Sequence, residues 1–272
     1  MVKLLIGSEH YVYRSDGRIY VHASGTGEES IVFLHAVGRS GWHWRNVVDR
    51  FGENFTCYNI DLPGYDHSDI PPRGYSIDGD YPRAVLDVMD SMGLKNANIV
   101  AERTGALIAA ILAAQCPERV HRLVLSGMPF WDKEQGETVW RKFFIPMFTD
   151  TESYGIPVAP LVNWEEAKEH TPGLKFEDWK KTEEIKQRSR VWSRLGQREH
   201  TSFDITSIGD KITQPTLLMY GERDPLRRGE KKAHESIRGS ILKVIPGISG
   251  SLHDGKPDDF FNIAFEFLRR SY

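Results

Sequence analysis

The chain has 272 residues, a formal net charge of −3 and 40% hydrophobic residues. That length can bury one large core, the near-neutral balance leaves no footprint for nucleic acid and no acidic tail, and the apolar content excludes a disordered chain. No apolar run approaches the length of a membrane helix, Met1–His10 lacks the apolar stretch and cleavage site of a signal peptide, and Cys57 and Cys116 make no disulfide framework, so a cytoplasmic protein is expected.

The elements follow in a regular order. Tyr11–Tyr13 and Ile19–His22 flank Ser15-Asp16-Gly17-Arg18 and predict a hairpin. Ile31–His35 is a short, continuously apolar strand, as buried parallel strands are. A helix is predicted over Trp42–Phe51, a strand over Phe55–Asp61, an amphipathic helix over Tyr81–Met92 and a strand over Asn98–Ala101. The chain then turns tightly through Glu102-Arg103-Thr104-Gly105 into an apolar helix that reads on to Val120. Leu123–Gly127 is a further buried strand. Repeated βα order predicts a mostly parallel central sheet with helices on both faces.

The rhythm breaks at Pro129. From Phe130 to Phe203 the sequence is charged, helical in pattern and rich in tryptophan (Trp131, Trp140, Trp164, Trp179, Trp192). Strands resume at Pro215–Gly221 and Ile241–Ile245, and a helix over Asp258–Arg270 ends the chain. Residues 1–129 and 207–272 are therefore expected to form one α/β core, with 130–206 inserted as a helical lid over the sheet edge where open α/β sheets bind ligands. No repeat or low-complexity tract interrupts this plan.

Several short motifs occur in a telling order. Phe33-Leu34-His35-Ala36-Val37-Gly38 resembles the HG oxyanion loop of the α/β-hydrolase superfamily, with Ala36 for its second glycine. Asp61-Leu62-Pro63-Gly64-Tyr65-Asp66-His67-Ser68-Asp69 is similar to the family's DLPGxGxSD turn, with Asp66 for a glycine. Gly221-Glu222-Arg223-Asp224-Pro225 resembles the loop bearing the catalytic acid, and Ile245-Pro246-Gly247 and Lys256-Pro257 bracket the usual histidine loop. The turn at Arg103 resembles the nucleophile elbow G-x-S-x-G. The resemblance spans the chain apart from residues 130–206 and implies an α/β-hydrolase fold.

The departures fall on the chemistry that the resemblance implies. Matching the elbow's last glycine to Gly105 puts Arg103 at the serine's place, and counting back the family's helix length from Pro117 reaches the same residue. A guanidinium has no lone pair with which to attack a carbonyl. Glu102-Arg103 as a slipped version of the aspartate-arginine pair of some relatives would need a residue inserted in the helix. The family spacing from Pro257 reaches Gly250 where the base histidine is expected, and the nearest histidine is His253. Asp224 alone stands where a triad member is expected, whereas the triad logic needs nucleophile, base and orienting acid together.

Two readings stand for Arg103: an anion or carbonyl site at a helix N-terminus, or a buried cation paired with Asp224 or Glu102. Asp224, Glu102 and His253 are the candidates for moving protons, each with a purely structural alternative as ion-pair partner or second-rank histidine. Backbone N–H groups at Val37 (with Ala36 beside it) and Thr104 would form the oxyanion hole that the resemblance implies. His35, Trp42, Trp131 and Trp192, with Trp44, are candidates to border the ligand or simply to pack lid against core. No metal signature or phosphate loop is found, so no cofactor is expected. The expected partner is a small molecule with an apolar body and an anionic or carbonyl end, without nucleic acid or membrane, and a homodimer is left open. The reaction expected from these departures is non-triad chemistry of lyase, isomerase, cyclase or decarboxylase type, with an inactive ligand-binding protein and hydrolysis by directly activated water as alternatives.

Overall fold

The computed structural model describes residues 7–148, 150–151, 155, 157–158, 161–170 and 174–270. Residues 1–6, on which part of the expectation about a leader rests, lie outside that set. A hairpin opens the chain, β1 (Ser8–Arg14) and β2 (Gly17–Gly25). β3 (Ser30–Leu34), α1 (Val48–Gly52), β4 (Thr56–Ile60), α2 (Asp80–Ser91), β5 (Ala97–Glu102), α3 (Thr104–Gln115) and β6 (Val120–Ser126) follow. Between β6 and the next core strand run α4 (Lys133–Val139), α5 (Ile145–Met147), the short strands β7 (Asp150–Thr151) and β8 (Pro157–Val158), α6 (Trp164–His170), α7 (Phe176–Arg188) and α8 (Arg190–Ser202). β9 (Thr216–Gly221), α9 (Glu230–Ser236), β10 (Ile241–Ile245), α10 (Leu252–Gly255) and α11 (Pro257–Leu268) complete the fold.

The eight core strands form one sheet in the order β1-β2-β4-β3-β5-β6-β9-β10. Only the β1–β2 and β2–β4 pairs are antiparallel. Alternation along each strand splits the core between two faces. Val32, Leu34, Ile99 and Ala101 face α2 and α3, whereas Ile31, Phe33 and Val100 face Trp44, α1 and α11. Strand order reverses at β3 and β5, so the loops leaving their C-terminal ends part from one another and open a crevice. α3 is buried from Thr104 to Ala113 on every side, which explains why its sequence is apolar all round and carries no amphipathic stripe.

Sequence pattern and structure differ at three boundaries. The helix expected over Trp42–Phe51 is a 3₁₀ segment, Gly41–Asn46, followed by the short α1. Asp61 causes the tight start, because its Oδ1 accepts the Gly41 N–H at 2.7 Å. The helix read as far as Val120 stops at Gln115, since Pro117 cannot donate a helical hydrogen bond, and β6 begins at once, before the expected Leu123. Residues 130–206, expected as a helical insertion, also include the antiparallel β7–β8 pair.

Candidate active site

The site is built at the strand reversal. β5 delivers the chain to Arg103, whose φ of +51° is one of two positive values outside glycine among the described residues. This backbone holds because both of its neighbours are fixed. The Arg103 N–H donates to the Ser126 carbonyl on β6 at 2.9 Å, and the Arg103 carbonyl accepts the Leu107 N–H at 3.0 Å, starting α3. Gly105 lets that helix close on β3, for a Cβ there would stand 2.4 Å from the Leu34 carbonyl oxygen. The first helical N–H groups, beginning at Thr104, have no intrahelical acceptor and carry the positive end of the helix dipole.

A cavity of about 760 Å³ opens over this turn. Ala36, Val37, Arg103 and Thr104 border it from the core, and Phe130, Trp131, Val139, Phe144, Gln197 and His200 border it from the helical segment. Exposed Lys142 and Arg228 stand at its edge with Glu134. The arrangement is an apolar chamber with a guanidinium and free backbone donors at one end.

The structure brings together part of the residue set expected from sequence. Arg103 Nη2 donates to Asp224 Oδ2 at 3.2 Å, while its Nε lies 3.9 Å from Glu102 Oε1. The Arg103 side chain keeps 28% of its surface exposed, against 2% for Asp224. Asp224 caps the turn after β9, its Oδ1 accepting the Leu226 N–H at 2.9 Å. Burial raises its pKa above the ordinary carboxylate value, although the Arg103 charge and the Leu226 N–H pull it down. Both Asp224 oxygens are thus engaged, and its neighbours Pro225 and Leu226 border the cavity in its stead.

Glu102 and His253 are not at this cavity. Glu102 shares its strand face with Val100 and is 2% exposed. Burial opposes its charge, but the His253 ring, the Arg103 guanidinium and a Ser251 hydrogen bond together hold its pKa below the usual value. His253 is fully buried and stacked on Trp44 at 4.1 Å between ring centroids, with no hydrogen-bond partner on either ring nitrogen. Its short helix α10 turns the His253 ring inward onto Trp44 and Phe260, where it acts on the charge of Glu102 and does not border the cavity.

Three binding candidates, His35, Trp42 and Trp192, do not border this cavity. His35 is 1% exposed and acts as a clamp, its Nδ1 meeting the Ala36 carbonyl at 2.7 Å and its Nε2 accepting the Leu62 N–H at 2.9 Å. Trp42 borders a separate hollow of about 320 Å³ and carries the Arg45 guanidinium 3.8 Å above its ring. Trp192 is a packing wedge: its ring fills a slot over Gly64, where a Cβ would lie 2.0 Å away, and its Nε1 donates to Tyr81 Oη at 3.0 Å. Trp131 does border the cavity.

Sequence reasoning passed over His200. On α8, Trp192, Gly196 and His200 recur every fourth residue and are all buried, so one stripe of the helix faces the core. That spacing was the available signal. The His200 ring stacks on Trp131 at 5.1 Å and 19°, and its Nδ1 lies 3.1 Å from Gln197 Oε1 and 3.4 Å from Thr104 Oγ1. Nε2 is buried without a partner. Burial, aided by the Arg103 charge, lowers its pKa to about 3.

Asp61, Asp66 and His67 bring one potential metal-binding atom each within 4.8 Å of one another. Asp66 already accepts Arg188 at 2.8 Å and has Lys181 at 3.9 Å, so the cluster is neutralised by cations of α7. Asp66 also stands at a turn position with φ +43°, a left-handed conformation that Asp tolerates better than most side chains.

The order of the sheet, the crossover helices and the strained turn between β5 and α3 define an α/β-hydrolase fold. A family model described as alpha/beta hydrolase fold matches residues 29–145. The chain is 34% identical over 116 residues to a 2-hydroxy-6-oxononadienedioate/2-hydroxy-6-oxononatrienedioate hydrolase of a Pseudomonas species, covering 41% of each chain. It is 27% identical over 228 residues to the protein of the same name from Burkholderia vietnamiensis, covering 76% of this chain and 75% of the other. The crystal structure of epoxide hydrolase A from Mycobacterium thermoresistibile superposes with a TM-score of 0.80 at 17% identity, covering 97% of this chain and 98% of that one. These names correct the expectation of lyase, isomerase, cyclase or decarboxylase chemistry: the relatives are hydrolases. The residues Arg103 and Gly250, on which that expectation rested, do not by themselves select a reaction class.

Proposed function

We propose that the protein is a hydrolase of small organic acids that carry a carbonyl group, with Arg103 holding an anionic or carbonyl oxygen of the substrate. The carrying observation is the partly exposed Arg103 guanidinium at the cavity floor, beside the first N–H groups of α3. In this reading Arg103 takes the serine's place at the elbow, so no acyl-enzyme forms and water attacks directly. The backbone N–H groups of Val37 and Thr104 take the charge that develops on the carbonyl oxygen. Asp224 orients Arg103 through the 3.2 Å contact and leaves the outer edge of the guanidinium for the ligand. The helices of residues 130–206 act as a lid that supplies the apolar wall. Lys142 and Arg228 at the edge favour a substrate with a second anionic group, in keeping with the dioate in the names of the relatives.

The test is turnover of a panel in heavy-oxygen water: 2-hydroxy-6-oxononadienedioate, an enol-lactone, para-nitrophenyl acetate and styrene oxide. Hydrolysis with one heavy oxygen entering the product in a single-turnover experiment, and no fluorophosphonate labelling of the β5–α3 turn, is the expected result. Arg103→Ala should lower kcat/KM by about a hundredfold, the scale of losing one charged transition-state contact. No turnover of any member, or covalent labelling at the turn, overturns the reading.

A further inference from the structure

Arg103 engages one end of a ligand, and a chamber of about 760 Å³ has room for a longer body with a second polar group. Gln197 of α8 borders this chamber and is half-buried. Its Oε1 lies 3.1 Å from His200 Nδ1, and the same ring nitrogen lies 3.4 Å from Thr104 Oγ1, so the amide is tied towards the β5–α3 turn. The form of the His200 ring decides which way round that amide stands. Burial, aided by the Arg103 charge, keeps the ring neutral, so one nitrogen alone carries a proton. Nε2 is buried without a partner. A buried N–H with no acceptor is the rarer kind of orphan in native structures, which puts the proton on Nδ1 and makes Gln197 Oε1 its acceptor. The Gln197 Nε2 is left with two N–H donors and no partner among the described residues. Trp131, stacked on His200 at 5.1 Å and 19°, holds the ring plane and with it the amide.

Resting on the reading of Arg103 as the holder of the substrate anion, we propose that Gln197 is a specificity-determining residue whose amide N–H groups receive a second, uncharged acceptor oxygen, a ketone on the apolar body of the substrate. The donors are neutral and the wall formed by Phe130, Trp131, Val139 and Phe144 is apolar. A second carboxylate placed there would bring a charge that one amide does not neutralise, whereas a ketone is satisfied by a single N–H. A ketone that misses the amide gives up its water and gains nothing in exchange. The pair Arg103 and Gln197 therefore measures the separation between anion and ketone along the ligand. His200 does not touch the ligand in this arrangement. It is a positioning residue that presents the Gln197 donors ready-made, so little rotamer freedom is lost on binding.

The experiment is titration calorimetry with decanoate and its 4-, 5-, 6- and 7-oxo derivatives, which share one carboxylate and differ only in where the ketone stands. Wild type, Gln197→Leu, His200→Phe and Arg103→Ala are compared, with thermal unfolding as the control for folding. Wild type should bind the best-placed oxo acid about tenfold more tightly than the worst-placed one. In Gln197→Leu and in His200→Phe the oxo acids should fall within about twofold of one another. A flat series in wild type, or a preference that survives in Gln197→Leu, overturns the role of Gln197 and leaves the Arg103 and hydrolase readings standing. Uniform weakening with the preference kept in a folded His200→Phe, the mark of lost packing alone, overturns the positioning role of His200. Acids that do not bind wild type, or that bind Arg103→Ala equally well, overturn the anion site and this proposal with it.

Discussion

Arg103 and Asp224 meet at 3.2 Å with very unequal burial, and the inequality sets what each can lose. Removing the arginine leaves a carboxylate that is nearly inaccessible to water and deprived of its cation, whereas removing the carboxylate leaves a cation still touched by solvent. Arg103→Ala should therefore destabilise the fold by about 1–3 kcal/mol. Asp224→Asn added to it should recover part of that loss, measured by urea unfolding of the four members of a double-mutant cycle. Additive effects would mean that the pair contributes no coupling. Both residues were legible in the sequence because the positions are fixed by turns: a positive-φ elbow before a buried helix, and a cap after β9. The orientation of the His253 ring was not legible, for the opposite reason. Spacing located its loop, but the direction of its ring depends on the Trp44 face that it stacks against, and no local pattern records that partner.

At the scale of elements, α8 joins the helical segment to the core through a single stripe. Trp192 fills the Gly64 slot, Gly196 lies against Tyr65 and Val37, and His200 reaches Thr104. Trp192→Ala removes the wedge and should cost about 3–5 kcal/mol in the docking of α8. Limited proteolysis should cut within residues 130–206 faster in this variant than in wild type, while the β-sheet circular dichroism persists. Equal cleavage rates would show that the wedge does not hold the segment. The apolar periods of α2 and the strands could be read directly because packing follows them. The β7–β8 pair and the 3₁₀ turn at Gly41 could not, for they are set by pairing and capping partners distant in sequence.

For the molecule as a whole, three buried histidines, His35, His43 and His200, are held below the ordinary value of 6.5, burial being the first cause in each. The unfolded chain protonates them near pH 6.5 and the native chain does not. Their contribution to stability is therefore complete above that pH and is lost as pH falls, at up to about 1.4 kcal/mol per pH unit for each histidine. His67, raised by its hydrogen bond to Asp61, works in the other direction, but its side chain is 42% exposed and its share is small. The urea midpoint should decline steadily from pH 7 to pH 5. A constant midpoint over that range would show that these rings take up protons without cost to the native state.

The reversal of strand order at β3 and β5 carries a consequence for divergence. The loops leaving those two strands travel apart, so neither constrains the length or composition of the other. The sheet beneath them is secured chiefly by its own apolar registers, and the tip of the β5–α3 turn adds to that security through the Arg103–Asp224 pair alone. A lineage can exchange the residue at such a tip together with its carboxylate partner without rebuilding the sheet below. Arg103 occupies the position in this architecture where chemical novelty is least expensive to try.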